Sequence, residues 1–204
     1  MKLYYSPGAC SLAPHIVARE AGIAIELERV DIATKRTESG KDYLALNPKG
    51  SVPMLELDNG DLLTECSAIV QYLADLKPEH NLAPRNGTMA RYRFLEWLGF
   101  VNSDLHKSYS PLFKIQTPEQ VRSERRAALG KYYAVLERHL MTQPWLMGDH
   151  FTAADAYLFT VTNWAPHVGL DISEFAAIQA FQQRVAGRPQ VQETLVAEGL
   201  VPAR

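Results

Sequence analysis

Strand signals in this chain of 204 residues end at residue 64, and that break constrains the fold more than any other feature. Before it, apolar alternation and helical periodicity take turns. After a linker at 77–87, KPEHNLAPRNG, only helical spacing remains. Lys2 to Tyr5 read as a short strand. Ser11 is placed to cap a helix over 12–21 that Gly22 ends, with Pro14 in the first turn, where a missing N–H costs nothing. Residues 25–30, IELERV, alternate as a half-buried strand does. A short helix over 42–46 stops before Asn47-Pro48. Strands at 52–57 and 62–64 flank Asp58-Asn59-Gly60-Asp61, the strongest hairpin signal of the chain. The run 66–76 is a helix with Ile69, Val70 and Leu73 on one face. The order β-α-β-α-β-β-α implies a four-stranded sheet packed with helices.

Beyond the linker, 91–107 sets Phe94, Leu95, Leu98, Val101 and Leu105 at helical spacing, and 121–141 forms a second long helix. Thr152-Ala153-Ala154-Asp155 reads as a capping box with Asp in place of Glu. It opens a helix that ends at Pro166, and 175–186 and 190–198 supply two more. The expectation is an α/β domain over 1–80 and an all-helical domain over 87–204, both of ordinary domain size.

Composition excludes several classes. A net charge of −2, with 47% apolar and 22% charged residues, gives no bulk attraction to nucleic acid or an anionic membrane. The densest basic run, 122–126, is interrupted by Glu124 and reads as a solvated helix face. Two cysteines provide neither a disulfide framework nor zinc spacing, and the six histidines form no H-E-x-x-H pattern, so no metal is expected. Glycine-rich phosphate loops are absent. No apolar run approaches the roughly 18 residues of a membrane span, and no targeting segment is read at the N-terminus. A reducing cytosol is the expected compartment.

Four places carry possible chemistry. Cys10, in SPGACSLAPH, stands just before a helix start, where free N–H groups and a partial positive charge favour a thiolate on the protein or on a ligand; the alternative is a small buried hydrophobe in a tight corner. Ser51-Val52-Pro53 enters the third strand. A cis bond there would turn the Val52 main chain toward an extended peptide-like ligand; a simple kinked strand fits as well. Glu65-Cys66 opens another helix, where backbone N–H groups bind carboxylates and Glu65 either grips an ammonium or merely complements the helix dipole. His106-Lys107 closes a long helix, where histidine is often just a dipole partner.

The order of these signals is specific. KLYYSPGACSLAPHI, NPKGSVP, LTE, LHKSYSPLF and FTAADAYLF occur in sequence, and with them nearly the whole chain resembles a cytosolic glutathione transferase, most closely the bacterial beta class. The resemblance implies an α/β thioredoxin-like N-terminal domain that holds glutathione as co-substrate, plus an all-α C-terminal domain that holds an electrophile and part of a homodimer interface. It implies that Cys10 faces the glutathione sulfur and can form a mixed disulfide with it. Lys35 pairs with the glycine carboxylate, Val52 makes main-chain bonds beside a cis Pro53, and Glu65 with the Cys66 N–H binds the γ-glutamyl end. His106 approaches the sulfur. Ser103, Asp104 and Lys107 lie near the same cleft, the last two reaching across the dimer. The hydrophobic electrophile is expected near Tyr109, Pro111, Phe113 and Trp164. The family's helix cap falls on Thr152 and Asp155.

This chain departs from the pattern at Gly99, where a polar side chain is usual, and at Cys66, where Ser or Gly is usual. Tyr5 and Ser11 bring hydroxyls close to the expected sulfur, so Ser11 joins the expected glutathione-binding residues. The implied function is conjugation of glutathione to small electrophiles in the context of detoxification. Two rivals share the fold: a glutathione-dependent thiol-disulfide reductase using Cys10, and a non-enzymatic carrier of glutathione or hydrophobic ligands.

Overall fold

The computed structural model of the chain describes residues 1–202. They form two compact units, residues 1–83 together with the segment from Arg188 onward, and residues 84–187.

The first unit holds strands β1 (Lys2–Tyr5), β2 (Glu26–Asp31), β3 (Arg36–Thr37), β4 (Met54–Glu56) and β5 (Leu62–Thr64) in one sheet of order β3-β2-β1-β4-β5. β1 pairs parallel with β2, Leu3 opposite Leu27, and antiparallel with β4, Leu3 opposite Leu55. The hairpin signal at 58–61 joins β4 to β5 as expected. The fifth strand is the two-residue β3, which returns antiparallel on β2. It is too short for an alternation to show, and the four-strand reading missed it. Helices α1 (Leu12–Glu20), α2 (Tyr43–Leu46) and α3 (Cys66–Asp75) follow the predicted positions within a residue or two. Tyr4, Val30, Tyr43, Val52 and Met54 form a buried cluster, with the Tyr4 and Tyr43 rings 5.8 Å apart.

The second unit comprises α4 (Met89–Gly99), a π-helical stretch Phe100–His106, the single turn α5 (Lys107–Tyr109), α6 (Glu119–Leu140), α7 (Ala153–Thr162) and α8 (Ala176–Ala186). α7 is buried along its whole length and is opened by the expected capping box. Asp155 Oδ2 accepts from the Thr152 N–H and hydroxyl, each at 2.8 Å, while its Oδ1 accepts from Leu146 N–H at 2.8 Å. Burial pushes its carboxyl up to about 6, against the pull of those donors.

The last helix, α9 (Pro189–Ala197), departs from the expected 87–204 domain. It packs on α1 in the first unit. The reason is polar as well as apolar. Arg188 pairs with Glu20 at 2.6 and 2.7 Å, and buried Glu198 accepts from Gly8 N–H at 3.0 Å while meeting His15 Nδ1 at 2.9 Å. Helical periodicity alone could not assign α9 to a sheet formed by residues nearly two hundred positions earlier.

Candidate active site

The turn between β1 and α1 places Cys10. Gly8, at φ +71°, makes the bend that a side chain would resist, and its N–H is tied to Glu198. Ser11 does not cap α1 with its side chain. Its hydroxyl turns back into the loop, accepting from Ser6 N–H at 3.1 Å and donating to the Ser6 carbonyl at 3.2 Å. The residue is fully buried. Ser11 therefore shapes the turn, and its hydroxyl is already committed there. Tyr5 packs its ring against His15, and burial, then the Glu198 carboxylate, raises its phenol above the ordinary value. A phenol so shifted is a poorer match to a thiolate than an unperturbed one.

The Cys10 thiol, half-buried, donates to the Val52 carbonyl at 3.2 Å. The Val52–Pro53 bond is cis, as expected from the sequence. Lys35, at φ +57° in the turn before β3, lays its stem against Gly50 and donates from Nζ to the Gly50 carbonyl at 2.7 Å. Its ammonium lies two residues along the chain from Val52.

Glu65 precedes α3 at φ +73° and makes no side-chain cap. Its carboxylate instead grips an ammonium, that of Lys49 at 2.6 Å, and Lys49 also donates to Thr64 Oγ1 at 3.1 Å. The partner is a lysine of the chain itself. Lys49 itself was missed, because a lysine in a Pro-Lys-Gly turn looks like any solvated loop charge. Cys66, the first residue of α3, is buried and points its Sγ at the Cys10 carbonyl, 3.4 Å away. Two contacts thus string Cys66, Cys10 and Val52 together, with Lys35 and Glu65 at the flanks.

In the second unit the π-helical stretch carries Ser103, Asp104 and His106. A seven-residue π segment is rare, and such wide turns are frequent at functional sites. Ser103 Oγ donates to Gly99 O at 2.6 Å, and Asp104 Oδ2 lies 3.5 Å from it. Ser103 and Lys107 are exposed, Asp104 and His106 partly so. His106 is held through Tyr157. Its Nδ1 lies 2.7 Å from Tyr157 Oη, and the Tyr157 hydroxyl donates to Asn102 Oδ1 at 3.0 Å. With its one proton given to Asn102, Tyr157 Oη accepts from Nδ1–H. In the neutral imidazole that arrangement leaves the lone pair on Nε2.

His106, Tyr109 and Phe113 all meet Trp164 edge-on, at 4.9, 5.6 and 5.7 Å. Tyr109 is entirely buried, its hydroxyl 2.7 Å from that of Tyr133, and burial, then Tyr133, raises its phenol far above the usual range. It is core, contrary to the expectation that it borders a second substrate. Phe113 is about half exposed and keeps an accessible ring. Among the described residues no group of His, Cys, Asp and Glu is arranged to hold a metal ion, and no helix is long and apolar enough to cross a membrane.

Residues 8–76 match the N-terminal domain of glutathione S-transferases and residues 93–189 match the C-terminal domain. The glutathione S-transferase GstA of Escherichia coli O157:H7 is 50% identical over 98% of this chain and the whole of its own length. Glutathione S-transferase GST-4.5 of Xanthomonas campestris is 41% identical over 98% of this chain and 100% of its own. Among solved structures, the ternary complex of the bacterial transferase BphK superposes with a TM-score of 0.96 at 51% identity, covering 98% of this chain and all of that one. A bacterial beta class transferase of Sphingomonas chungbukensis gives 0.95 at 45%, again covering 98% and 100%. The chain belongs to the glutathione S-transferase family. The resemblance read from KLYYSPGACSLAPHI and the later runs therefore holds, and the protein is an enzyme of that family.

Proposed function

We propose that the protein conjugates glutathione to small hydrophobic electrophiles, with Cys10, Lys35, Val52, Glu65 and the Cys66 N–H binding the tripeptide. The observation that carries this is the string of contacts Cys66–Cys10–Val52 at the starts of α1 and α3, with the Lys35 ammonium on Gly50 O beside it. The α1 N-terminus stabilises the glutathione thiolate. His106, neutral and with its lone pair on Nε2, takes the thiol proton. The thiolate then attacks the electrophilic carbon, and a halide or similar group leaves. Phe113 and Trp164 supply the apolar face for the electrophile.

For bound glutathione, Lys49 gives up the Glu65 carboxylate to the ligand's α-ammonium, and Lys35 trades Gly50 O for the glycine carboxylate. Asp104 and Lys107 serve the partner's site in a homodimer. Met89 and Tyr92, 70% and 61% exposed on α4, supply apolar surface for that interface. The working compartment is the reducing cytosol.

A thiol-disulfide reductase reading also has support, because Cys10 is the more accessible of two neighbouring thiols. Side-by-side rates with an aryl halide and with a glutathione mixed disulfide separate the two. Lys35→Ala is expected to weaken glutathione binding by about 1–3 kcal/mol in calorimetry, the range for a charge-assisted bond. Unchanged affinity removes Lys35 from the site.

A further inference from the structure

We propose that Cys66 is the resolving thiol of Cys10, which gives the protein a second activity: reducing glutathione mixed disulfides through an internal Cys10–Cys66 bridge. The inference rests on the reading that Cys10 meets the glutathione sulfur.

The two cysteines are the only ones in the chain, and the fold brings them together from positions 56 apart. Cys66 Sγ is 3.4 Å from the Cys10 carbonyl oxygen. A carbonyl oxygen lies about 2.4 Å from its own Cα, so the Cys66 sulfur is at most about 5.8 Å from Cys10 Cα. A bridge needs Cα atoms roughly 4.4–6.8 Å apart; adding the ~2.8 Å from the Cys66 sulfur to its own Cα, the contact bounds the two Cα atoms to about 8.6 Å, near enough that a side-chain rotation with at most a small backbone shift closes the bridge. α1 packs directly on α3, and the two thiols occupy neighbouring ends of those helices. Forming the bridge requires the Cys66 sulfur to leave the Cys10 carbonyl and the Cys10 sulfur to leave the Val52 carbonyl.

Burial sets the order of events. Cys10 is partly exposed and meets an incoming disulfide first. Cys66 is 4% exposed, so a disulfide in solution does not reach it directly. It reacts only with what Cys10 has captured. Each thiol stands at the N-terminal end of a helix of nine or ten residues, where the free N–H groups favour the thiolate needed for attack.

The chemistry balances. The Cys10 thiolate attacks one sulfur of glutathione disulfide, the ligand S–S bond breaks, and one glutathione leaves with the Cys10 proton. Cys66 then attacks Cys10 Sγ in the mixed disulfide. The bond to glutathione breaks, and the second glutathione leaves with the Cys66 proton. Two electrons pass from the two cysteines to glutathione disulfide, which becomes two glutathione thiols. With a glutathione mixed disulfide RSSG as substrate, the first thiol to leave is RSH and the second is glutathione. Two further glutathione molecules then restore the dithiol and leave as glutathione disulfide. The net reaction is RSSG plus glutathione giving RSH plus glutathione disulfide, whereas glutathione disulfide itself serves as a probe of the two exchange steps without net turnover.

The test is intact mass after exposing the fully reduced protein to excess glutathione disulfide and quenching with acid, with circular dichroism to check each variant's fold. The wild type is expected to end about 2 Da lighter and to retain no thiol that an alkylating reagent can label after unfolding. Cys66→Ser and Cys66→Ala are expected to stop at a stable adduct about 305 Da heavier, and Cys10→Ser to stay unmodified. A wild-type adduct as long-lived as that of Cys66→Ser overturns the resolving role and leaves Cys10 as the exchange thiol. An adduct on Cys10→Ser overturns the proposed order. A wild type that takes up no glutathione and forms no bridge refutes the underlying reading of Cys10, and the inference with it.

Discussion

Replacing Tyr157 with phenylalanine deletes one oxygen from a fully buried ring. That oxygen accepts from His106 Nδ1 at 2.7 Å and passes its own proton to Asn102 Oδ1 at 3.0 Å. Without it, that contribution to the Nδ1–H tautomer is lost. Losing a buried hydrogen-bond partner costs about 1–3 kcal/mol. If half of that falls on the tautomer equilibrium, the ratio of Nδ1–H to Nε2–H imidazole drops roughly twofold to twelvefold, since about 1.4 kcal/mol is a factor of ten. The ceiling is the full contribution of a general base, about 10²–10⁴. Tyr157→Phe is thus expected to lower kcat for an aryl halide by about twofold to tenfold with the KM for glutathione little changed. Nitrogen chemical shifts of labelled His106 should move from the Nδ1–H to the Nε2–H pattern. His106→Ala run in parallel separates the two links: if it conjugates at the wild-type rate, histidine is no part of the reaction. If His106→Ala is slow but Tyr157→Phe keeps both its kcat and the Nδ1–H signature, the tautomer argument is wrong.

Three further outcomes follow from the same geometry. Glu198→Ala removes the acceptor shared by Gly8 N–H and buried His15, and should lower stability in urea by about 2–4 kcal/mol with faster amide exchange at Gly8; unchanged exchange there would detach α9 from the Cys10 turn. Gly99 has helical dihedrals, φ −59° and ψ −49°, and open space where a Cβ would stand, so Gly99→Ala should stabilise by about 0.5–1 kcal/mol, whereas a loss would mean that another surface, such as a second protomer, fills that space. Asp155 has a folded value of about 6, above the ordinary 3.8 because of burial, so the folded protein holds this proton more tightly than the unfolded chain; the resulting stabilisation is complete below about pH 4 and is lost as pH rises through 6, roughly 3 kcal/mol in all. Urea midpoints of wild type against Asp155→Asn across pH 4–7 should show that falling component only in the wild type, and parallel curves would refute it.

What the sequence makes legible is whatever one local segment determines by itself. The hairpin at 58–61, the capping box at 152–155 and the helix faces carrying Ile69, Val70 and Leu73, or Phe94, Leu98, Val101 and Leu105, are all observed and buried as expected. The widening of the helix into π turns after Gly99 left no trace, because Val101 and Leu105 satisfy ordinary helical spacing while the backbone shifts its hydrogen bonds. β3 is two residues long and has no periodicity to read. Ser11 sat in an apt capping position, yet a nearer pair of partners in Ser6 won its hydroxyl.

The site divides along the same line. Cys10 and Val52 stand out in the sequence because each sits in a turn whose local chemistry is distinctive, a thiol before a helix and a proline entering a strand, whereas Lys35 is singled out only by the family resemblance. The groups that hold them do not stand out. Glu198 reaches Gly8 across 190 positions and His15 across 183, and no property of a glutamate near a helix end marks it as buried. Lys49 and Glu65 lie 16 apart in segments that read separately as a loop and a helix start. Tyr157 lay in view as one more apolar position of α7, but its hydroxyl acquires meaning only when Asn102 and His106 arrive from a different helix. Cys66 is the sharpest case. In the sequence it is a substitution that weakens one hydroxyl contact to glutathione. Its sulfur lies 3.4 Å from the Cys10 backbone, so the same residue is also a second thiol beside the first. Residue type and local turn thus identify the groups that can react, while the long-range pairs decide which proton, tautomer or sulfur each of them can use.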